Sequence, residues 1–384
     1  MSLEVARKAV AIVGTGYVAD LYMRSRDLHP DIEVVGAFDI REGRLAAFCR
    51  HWGLRPFASL AEVLDALPGE GIVLNLTNPD AHYAVTRASL EAGRHVYSEK
   101  PLAMDLAQAQ DLVNLARSRG RLLGGAPCSY LSEAAQTLAA ATRAGVCGPV
   151  RLVYAELDDG YIPQAPHQKW LSESGAPWPY ENEMRTGCTL EHAGYVLSWL
   201  VAMFGSIHSI TAFSAATIDK GLEGGCTVPD MSIGILKFRA GQVVRLTCSI
   251  VAPHDHRLLM TGDKGTLEVR DTWDNSAKVR FRRRFVMRRR LMEAPLPRRI
   301  RLAEGPARRR ARRRGSASMD FLLGAEEMFR FLHEGDTNRC DDRLALHVTE
   351  AALHLQNAGE ASETYMMQTA CDPLPALGWA QKLR

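Results

Sequence analysis

The chain has 384 residues, of which 46% are hydrophobic and 24% charged, and a formal net charge of +3. This length suits two domains with sizeable cores; no apolar run approaches the roughly 18 residues of a membrane span, and no signal-like apolar stretch precedes the first strand. The eight cysteines are scattered without a C-x-x-C pair, which argues for reduced thiols in a cytoplasm and against a disulfide frame or a zinc site, so no metal is expected.

The first element is Ala9-Val10-Ala11-Ile12-Val13, an unbroken apolar run of the kind buried on both faces of a parallel sheet. Gly14-Thr15-Gly16-Tyr17-Val18-Ala19 follows and opens a helical pattern. Gly14 permits the tight turn, Gly16 lets the backbone approach a pyrophosphate, and Ala19 is the small residue where helix meets strand. The free N–H groups and positive end of the new helix would face the phosphates. A second strand, Glu33 to Phe38, ends in Asp39. A carboxylate there can accept hydrogen bonds from both ribose hydroxyls and repels a 2′-phosphate, so NAD is the expected cofactor. Arg41 and Arg44 keep NADP possible.

Helices are expected around Leu45–Phe48 and over Leu60–Leu67, then a buried strand, Gly71 to Thr77, opening into the loop Asn78-Pro79-Asp80. Ala81 to Ala92 reads as a helix that Gly93 ends. His95-Val96-Tyr97 runs into Ser98-Glu99-Lys100-Pro101, Asp105 caps a helix through Arg119, and Arg121 to Gly125 is a further strand. Alternating strands and helices predict an α/β, doubly wound parallel sheet of the Rossmann type over residues 1–125.

Beyond about residue 150 the period changes. Arg151–Glu156, Ile207–Ser214, Met231–Arg239, Gln242–Val251, His256–Thr261 and Thr266–Arg270 read as strands, with Gly262-Asp263-Lys264-Gly265 as a turn. Residues 126–384 are thus expected to form an α+β domain with an open, mainly antiparallel sheet. Its free face calls for a cover, for which a second subunit is the expected homo-oligomeric partner. Asp342 to Asn357 reads as one amphipathic helix. Between Arg280 and Arg314 stand sixteen arginines against two glutamates, so this arm carries +14 and the remainder −11. Its proline and arginine content argues against a compact element. An arm lying on the acidic remainder of its own or a partner subunit is the favoured reading. A grip on a phosphorylated or nucleotide-linked substrate, or a footprint for nucleic acid or a membrane surface, stays open. Nucleic acid is not the expected partner.

Ligands of doubly wound sheets bind at the carboxyl ends of the strands, where Thr77, Asn78, His82, Glu99 and Lys100 fall. A lysine over a cofactor cleft can hold a substrate hydroxyl and help draw off its proton as hydride leaves the carbon. Taken together, Gly14–Ala19, Thr77…His82, Glu99-Lys100-Pro101 and the C-terminal Gly-Asp-Lys-Gly-Thr-Leu hairpin resemble the glucose–fructose oxidoreductase / inositol dehydrogenase / MocA family along the whole chain. The resemblance implies a nicotinamide-dependent oxidoreductase of sugars, cyclitols or related small molecules, usually oligomeric. It makes Gly14, Thr15, Gly16, Tyr17, Val18, Asp39, Thr77 and Asn78 cofactor contacts, with His82 nearby. Glu99 would bind the nicotinamide ribose, Lys100 would be the catalytic lysine, and the bond before Pro101 would be cis.

Family members carry a Gly-rich turn and then a helix with Asp and His four residues apart. The matching stretch is Thr186-Gly187-Cys188-Thr189-Leu190-Glu191-His192-Ala193-Gly194-Tyr195. Glu191 replaces the aspartate and Tyr195 the histidine, on one helix face. Tyrosine, with a free pKa near 10, needs a nearby cation to move protons near neutral pH, which Lys100 could supply. His192, turned about 100° from Glu191 around the helix, is the rival proton carrier. A long loop before this helix holds Asp158, Asp159, Tyr161, His167, Lys169, Trp170, Trp178, Tyr180 and Arg185. Rings beside polar groups suit a sugar, and equally a loop packed over the sheet. A cofactor-binding sensor without turnover is the alternative function.

Overall fold

The structure, a computed structural model, describes residues 8–306 and 318–384. The chain divides into two compact units. One comprises Met1–Cys128, Ala165–Thr186 and Asp320–Thr349; the other comprises Ser129–Gln164, Gly187–Met319 and Glu350–Arg384.

In the first unit β1 (Lys8–Val13), β2 (Ile32–Phe38), β3 (Ile72–Asn75), β4 (His95–Ser98) and β5 (Leu123–Gly125) form a parallel sheet in the order β2-β1-β3-β4-β5. The helices are α1 (Tyr17–Ser25), α2 (Glu42–Trp52), α3 (Leu60–Ala66), α4 (Pro79–Glu91) and α5 (Leu106–Ser118). Ala9 to Val13 are at most 1% exposed, as an apolar run covered on both faces must be. Local signals set the helix starts: Ser59 accepts from the Glu62 N–H at 3.2 Å, Asp105 from that of Gln108 at 2.8 Å, and Pro79 takes the first turn of α4. The doubly wound reading therefore holds.

The second unit is built on a ten-stranded mixed sheet. Ahead of it lies α6 (Glu133–Arg143), and the first strand is β6 (Val150–Asp158). After α7 (Tyr180–Thr186) come α8 (Cys188–His192) and α9 (Gly194–Phe204). The remaining strands are β7 (Ile207–Ala215), β8 (Met231–Phe238), β9 (Val243–Ser249), β10 (Leu258–Gly262), β11 (Gly265–Val269), β12 (Arg280–Met287), β13 (Arg290–Glu293), β14 (Arg298–Arg299) and β15 (Thr364–Met366). Two helices, α10 (Leu323–Glu334) and α11 (Asp342–Asn357), precede β15. The path runs β13-β12-β11-β10-β6-β9-β8-β7-β15, with β14 beside β12. Only the central β6–β9 pair among these is parallel, so the open, mainly antiparallel sheet is found. Strand β8 alternates strictly, and its outward Ile233 and Ile235 are 41% and 46% exposed.

The arginine tract departs from expectation, since its first part joins the sheet as β12–β14. Alternation turns Phe281 inward to 6% exposure, and Arg298 lies over its ring at 5.5 Å. Long side chains then satisfy loop carbonyls: Arg282 donates to those of Ala294 and Pro295, and Arg284 to that of Gly262. The last arginines of the tract, within residues 307–317, lie outside the described residues.

Two later segments count with the first unit. The aromatic loop is tied to α1 and α2 through buried Asp20. Ser172 Oγ and Ser174 Oγ donate to one Asp20 oxygen at 2.5 and 2.6 Å, and Trp52 Nε1 donates to the other at 2.7 Å. Its rings pack on one another, with His167 stacked on Tyr180 at 3.8 Å and Trp170 edge-on to Trp178 at 5.1 Å.

The segment beginning at Asp320 is held by charge. His29 Nε2 is 2.9 Å from Asp320 Oδ2, and Lys8 Nζ is 2.9 Å from Glu326 Oε1. Burial alone would lower the His29 pKa, but hydrogen bonds and charge from Asp320 and Glu326 raise it to about 9, from 6.5. A raised pKa gives stability that is full below pH 6.5 and is lost as the pH rises through 9, worth roughly 3 kcal/mol. Denaturant unfolding at pH 6 and pH 9.5 should show this loss in the wild type and little of it in His29→Gln.

Candidate active site

The carboxyl ends of β1, β3 and β4 gather one set of candidate residues. Gly14 has φ +93°, and a Cβ there would lie 2.6 Å from the backbone of Leu76 and Thr77. Gly16 is the N-cap of α1, with no side chain capping the helix, and a Cβ on it would meet nothing within 4 Å. Tyr17 and Val18 open the helix. An open approach to uncapped helix N–H groups is what a diphosphate requires, so these residues fit a dinucleotide. Asp39 follows β2 directly. Its Oδ2 accepts from Thr15 N at 2.8 Å and Thr15 Oγ1 at 2.9 Å, and its Oδ1 from Arg41 N at 2.9 Å. Burial would raise the Asp39 pKa, but these hydrogen bonds and the Arg41 charge keep it below the usual carboxylate range. Arg44 Nε donates to Thr15 O at 2.8 Å, so both arginines flank this carboxylate.

Thr77 Oγ1 donates to Asn75 Oδ1 at 2.7 Å. Asn78 caps α4 without a side-chain hydrogen bond. His82, 1% exposed, has Nε2 2.9 Å from Thr77 O and Nδ1 2.7 Å from Pro101 O, so it staples two strand-end loops together. Glu99 is 5% exposed; Tyr22 Oη donates to its Oε1 at 2.7 Å, and the Lys100 N–H donates to its Oε2 at 3.1 Å. The Lys100–Pro101 bond is cis, as expected. Tyr22, which the sequence did not single out, thus links the helix after the glycine turn to the Glu99-Lys100 pair.

The second set lies in the other unit. Gly187, at φ +98°, begins α8, and a Cβ on it would overlap Gln356, whose Oε1 accepts from the Leu190 N–H at 3.0 Å. Gln356 is therefore the cap of the helix that carries Glu191 and His192. Glu191 is 4% and Tyr195 9% exposed, and the Tyr195 ring centroid is 5.0 Å from that of Trp273. His192 Nδ1 lies 2.8 Å from Asp159 Oδ2, and His256 Nε2 lies 2.7 Å from Asp159 Oδ1. Burial would raise the Asp159 pKa, but the two imidazoles hold it far below the usual range.

Comparison with known proteins adds the decisive observation. Residues 8–125 match the oxidoreductase family with an NAD-binding Rossmann fold, and residues 135–268 match the GFO/IDH/MocA C-terminal domain. The chain belongs to the Gfo/Idh/MocA family. This Gfo/Idh/MocA protein is 27% identical over 199 residues to an uncharacterised oxidoreductase, YdgJ, of Escherichia coli, covering 52% of this chain and 53% of the relative. It is 30% identical over 115 residues to an inositol 2-dehydrogenase/D-chiro-inositol 3-dehydrogenase of Lactiplantibacillus plantarum, covering 29% and 33%. The matches thus span about half and a third of those relatives. Its fold is that of the WlbA dehydrogenase from Bordetella pertussis, solved with NADH and UDP-GlcNAcA. That match has a TM-score of 0.70 and 17% identity, and covers 94% of this chain and 99% of that one. The family binds a nicotinamide cofactor, which the open glycine turn accommodates.

Within the first unit, then, Gly14, Thr15, Gly16, Tyr17, Val18, Asp39, Thr77, Asn78, His82, Glu99 and Lys100 share one edge of the parallel sheet; Glu191, His192 and Tyr195 stand together in the second. Besides Tyr22, sequence reasoning missed His256, Trp273 and Gln356. Nothing local marks them, because each meets its partner across many tens of residues.

Proposed function

We propose that this chain is an NAD-dependent dehydrogenase or reductase acting on a hydroxyl or keto carbon of a sugar, cyclitol or sugar derivative. The observation that carries the reading is the Tyr22–Glu99–Lys100 arrangement at the strand ends beside an open glycine turn. A bound nicotinamide would supply the hydride acceptor or donor at the carbinol carbon. Lys100 is the first unit's carrier for the hydroxyl proton, and Tyr195 is the carrier that the second unit offers. Glu191 orients a neighbouring substrate hydroxyl, and His192 is the second candidate for the proton. Asp39, held ionised, accepts from the adenosine ribose and disfavours a 2′-phosphate, which supports NAD over NADP. The inositol dehydrogenase among the relatives supports a cyclitol or sugar.

The exposed Ile233 and Ile235 of β8 support the second sheet as the homo-oligomer face. Among the described residues no helix is long and apolar enough to cross a membrane. The scattered cysteines, without a C-x-x-C pair, support a cytoplasmic setting.

One set of assays tests the reading: absorbance at 340 nm with NAD and NADP and a panel of polyols and sugars. The wild type should turn over faster with NAD. Tyr195→Phe should lower turnover about 10²-fold and leave cofactor binding within twofold. Near-normal turnover in Tyr195→Phe with loss in His192→Ala would move the proton role to His192. No turnover of any substrate, with tight cofactor binding, would favour a sensor.

A further inference from the structure

Asp159 sits at the centre of a cluster that the hydride chemistry does not use in full. It follows the end of β6, while His254 and His256 lie on the loop leading into β10, and His192 ends α8. One ligating atom each from Asp159, His254 and His256 lies within 4.8 Å of the others. His192 Nδ1 flanks this group, 2.8 Å from the second Asp159 oxygen. The Asp159 side chain is 9% exposed and that of His256 1%. Both oxygens of this buried carboxylate thus face an imidazole, His256 at 2.7 Å and His192 at 2.8 Å, and a cation would replace the proton shared with His256. The Trp273 ring walls one side, its centroid 4.3 Å from that of His256 and 5.8 Å from that of His192.

We propose that Asp159, His254 and His256 bind one divalent transition-metal ion of the zinc class. Two imidazoles and one carboxylate match the three-ligand sets of zinc that keep a fourth position for water, whereas magnesium and calcium take oxygen donors. At ordinary zinc–ligand lengths, neighbouring donors of a tetrahedron stand about 3.3 Å apart. Binding therefore widens the short Asp159–His256 contact by about half an ångström and expels any proton held there. His254 is exposed and gives the ion its way in. The scattered cysteines led to an expectation of no metal; the donors here are two histidines and an aspartate drawn from two separate stretches of chain. The ion would share the Trp273 ring as a neighbour with Tyr195.

The test needs no turnover, so its outcome is separate from that of the oxidoreductase reading. The full chain, untagged and stripped with a chelator, is titrated with zinc chloride by calorimetry and with cobalt(II) by visible absorption. Expected are one equivalent of zinc bound with submicromolar affinity and the strong visible bands of tetrahedral cobalt. His254→Ala, at an exposed position, should leave the melting temperature of the metal-free chain unchanged and weaken zinc binding at least tenfold. Asp159→Asn should weaken it further. The proposal is overturned if no saturable binding occurs below about 1 mM zinc, or if both variants bind zinc as the wild type does. The second result would place the ion elsewhere, and the first would leave a hydrogen-bonded His–Asp–His relay.

Discussion

Lys100→Met is expected to lower turnover about 10³-fold or more, on whichever substrate the wild type accepts, while nicotinamide affinity stays within about twofold. Methionine keeps the length and apolar stem of lysine and removes the ammonium. The backbone that positions residue 100 does not depend on that charge: its N–H donates to Glu99 Oε2, and Glu99 is anchored by Tyr22. A half-buried position tolerates the exchange, so the loss should appear in kcat and not in folding. Removal of a positioned proton carrier typically costs 10²–10⁴-fold. Steady-state rates at 340 nm and a fluorescence titration with NADH measure the two quantities. Turnover above a tenth of wild type would remove Lys100 from the chemistry.

Gly14→Ala should be still more damaging. Its φ of +93° is one that L-residues rarely adopt, and the added methyl would press on the Leu76 and Thr77 backbone at 2.6 Å, where no side chain can swing aside. A loss of roughly 2–4 kcal/mol in stability and of more than 100-fold in NADH affinity is expected. Gly16→Ala separates the causes. Its methyl meets no protein atom within 4 Å, so stability should hold while the cofactor, whose pyrophosphate must come close there, binds more weakly. Thermal melts and NADH titrations of both variants decide this. Wild-type behaviour of Gly14→Ala would mean that the turn is not the dinucleotide cradle.

Much of the first unit was legible because its signals are local. An apolar run ending in Gly14-Thr15-Gly16 can form few other structures, and a capping Asp105 or a terminal Gly93 acts within one turn. The helix over Asp342–Asn357 appears with the bounds its periodicity suggested. The failures share a cause in long-range partners. The arginine tract reads as an arm lying on the acidic remainder, without a compact element, until Phe281 and the carbonyls of Gly262 and Ala294 are seen to receive its side chains. The aromatic loop belongs with α1 because of Asp20, which is about 150 residues away and has nothing in its neighbourhood to advertise the bond. His82 reads as a cofactor neighbour by position, yet both its ring nitrogens face backbone carbonyls, so what it does in the fold is hold two strand-end loops together.

The cap that Gln356 places on α8 has a reach beyond its one hydrogen bond. The stretch bearing Glu191 and His192 is anchored from near the carboxyl terminus, by a residue 166 positions further along. Trimming the tail, or fusing a tag that disturbs it, would therefore loosen the helix that carries Glu191 and His192. A directed-evolution campaign on substrate range would do well to randomise the neighbourhood of Gln356 alongside Glu191, His192 and Tyr195.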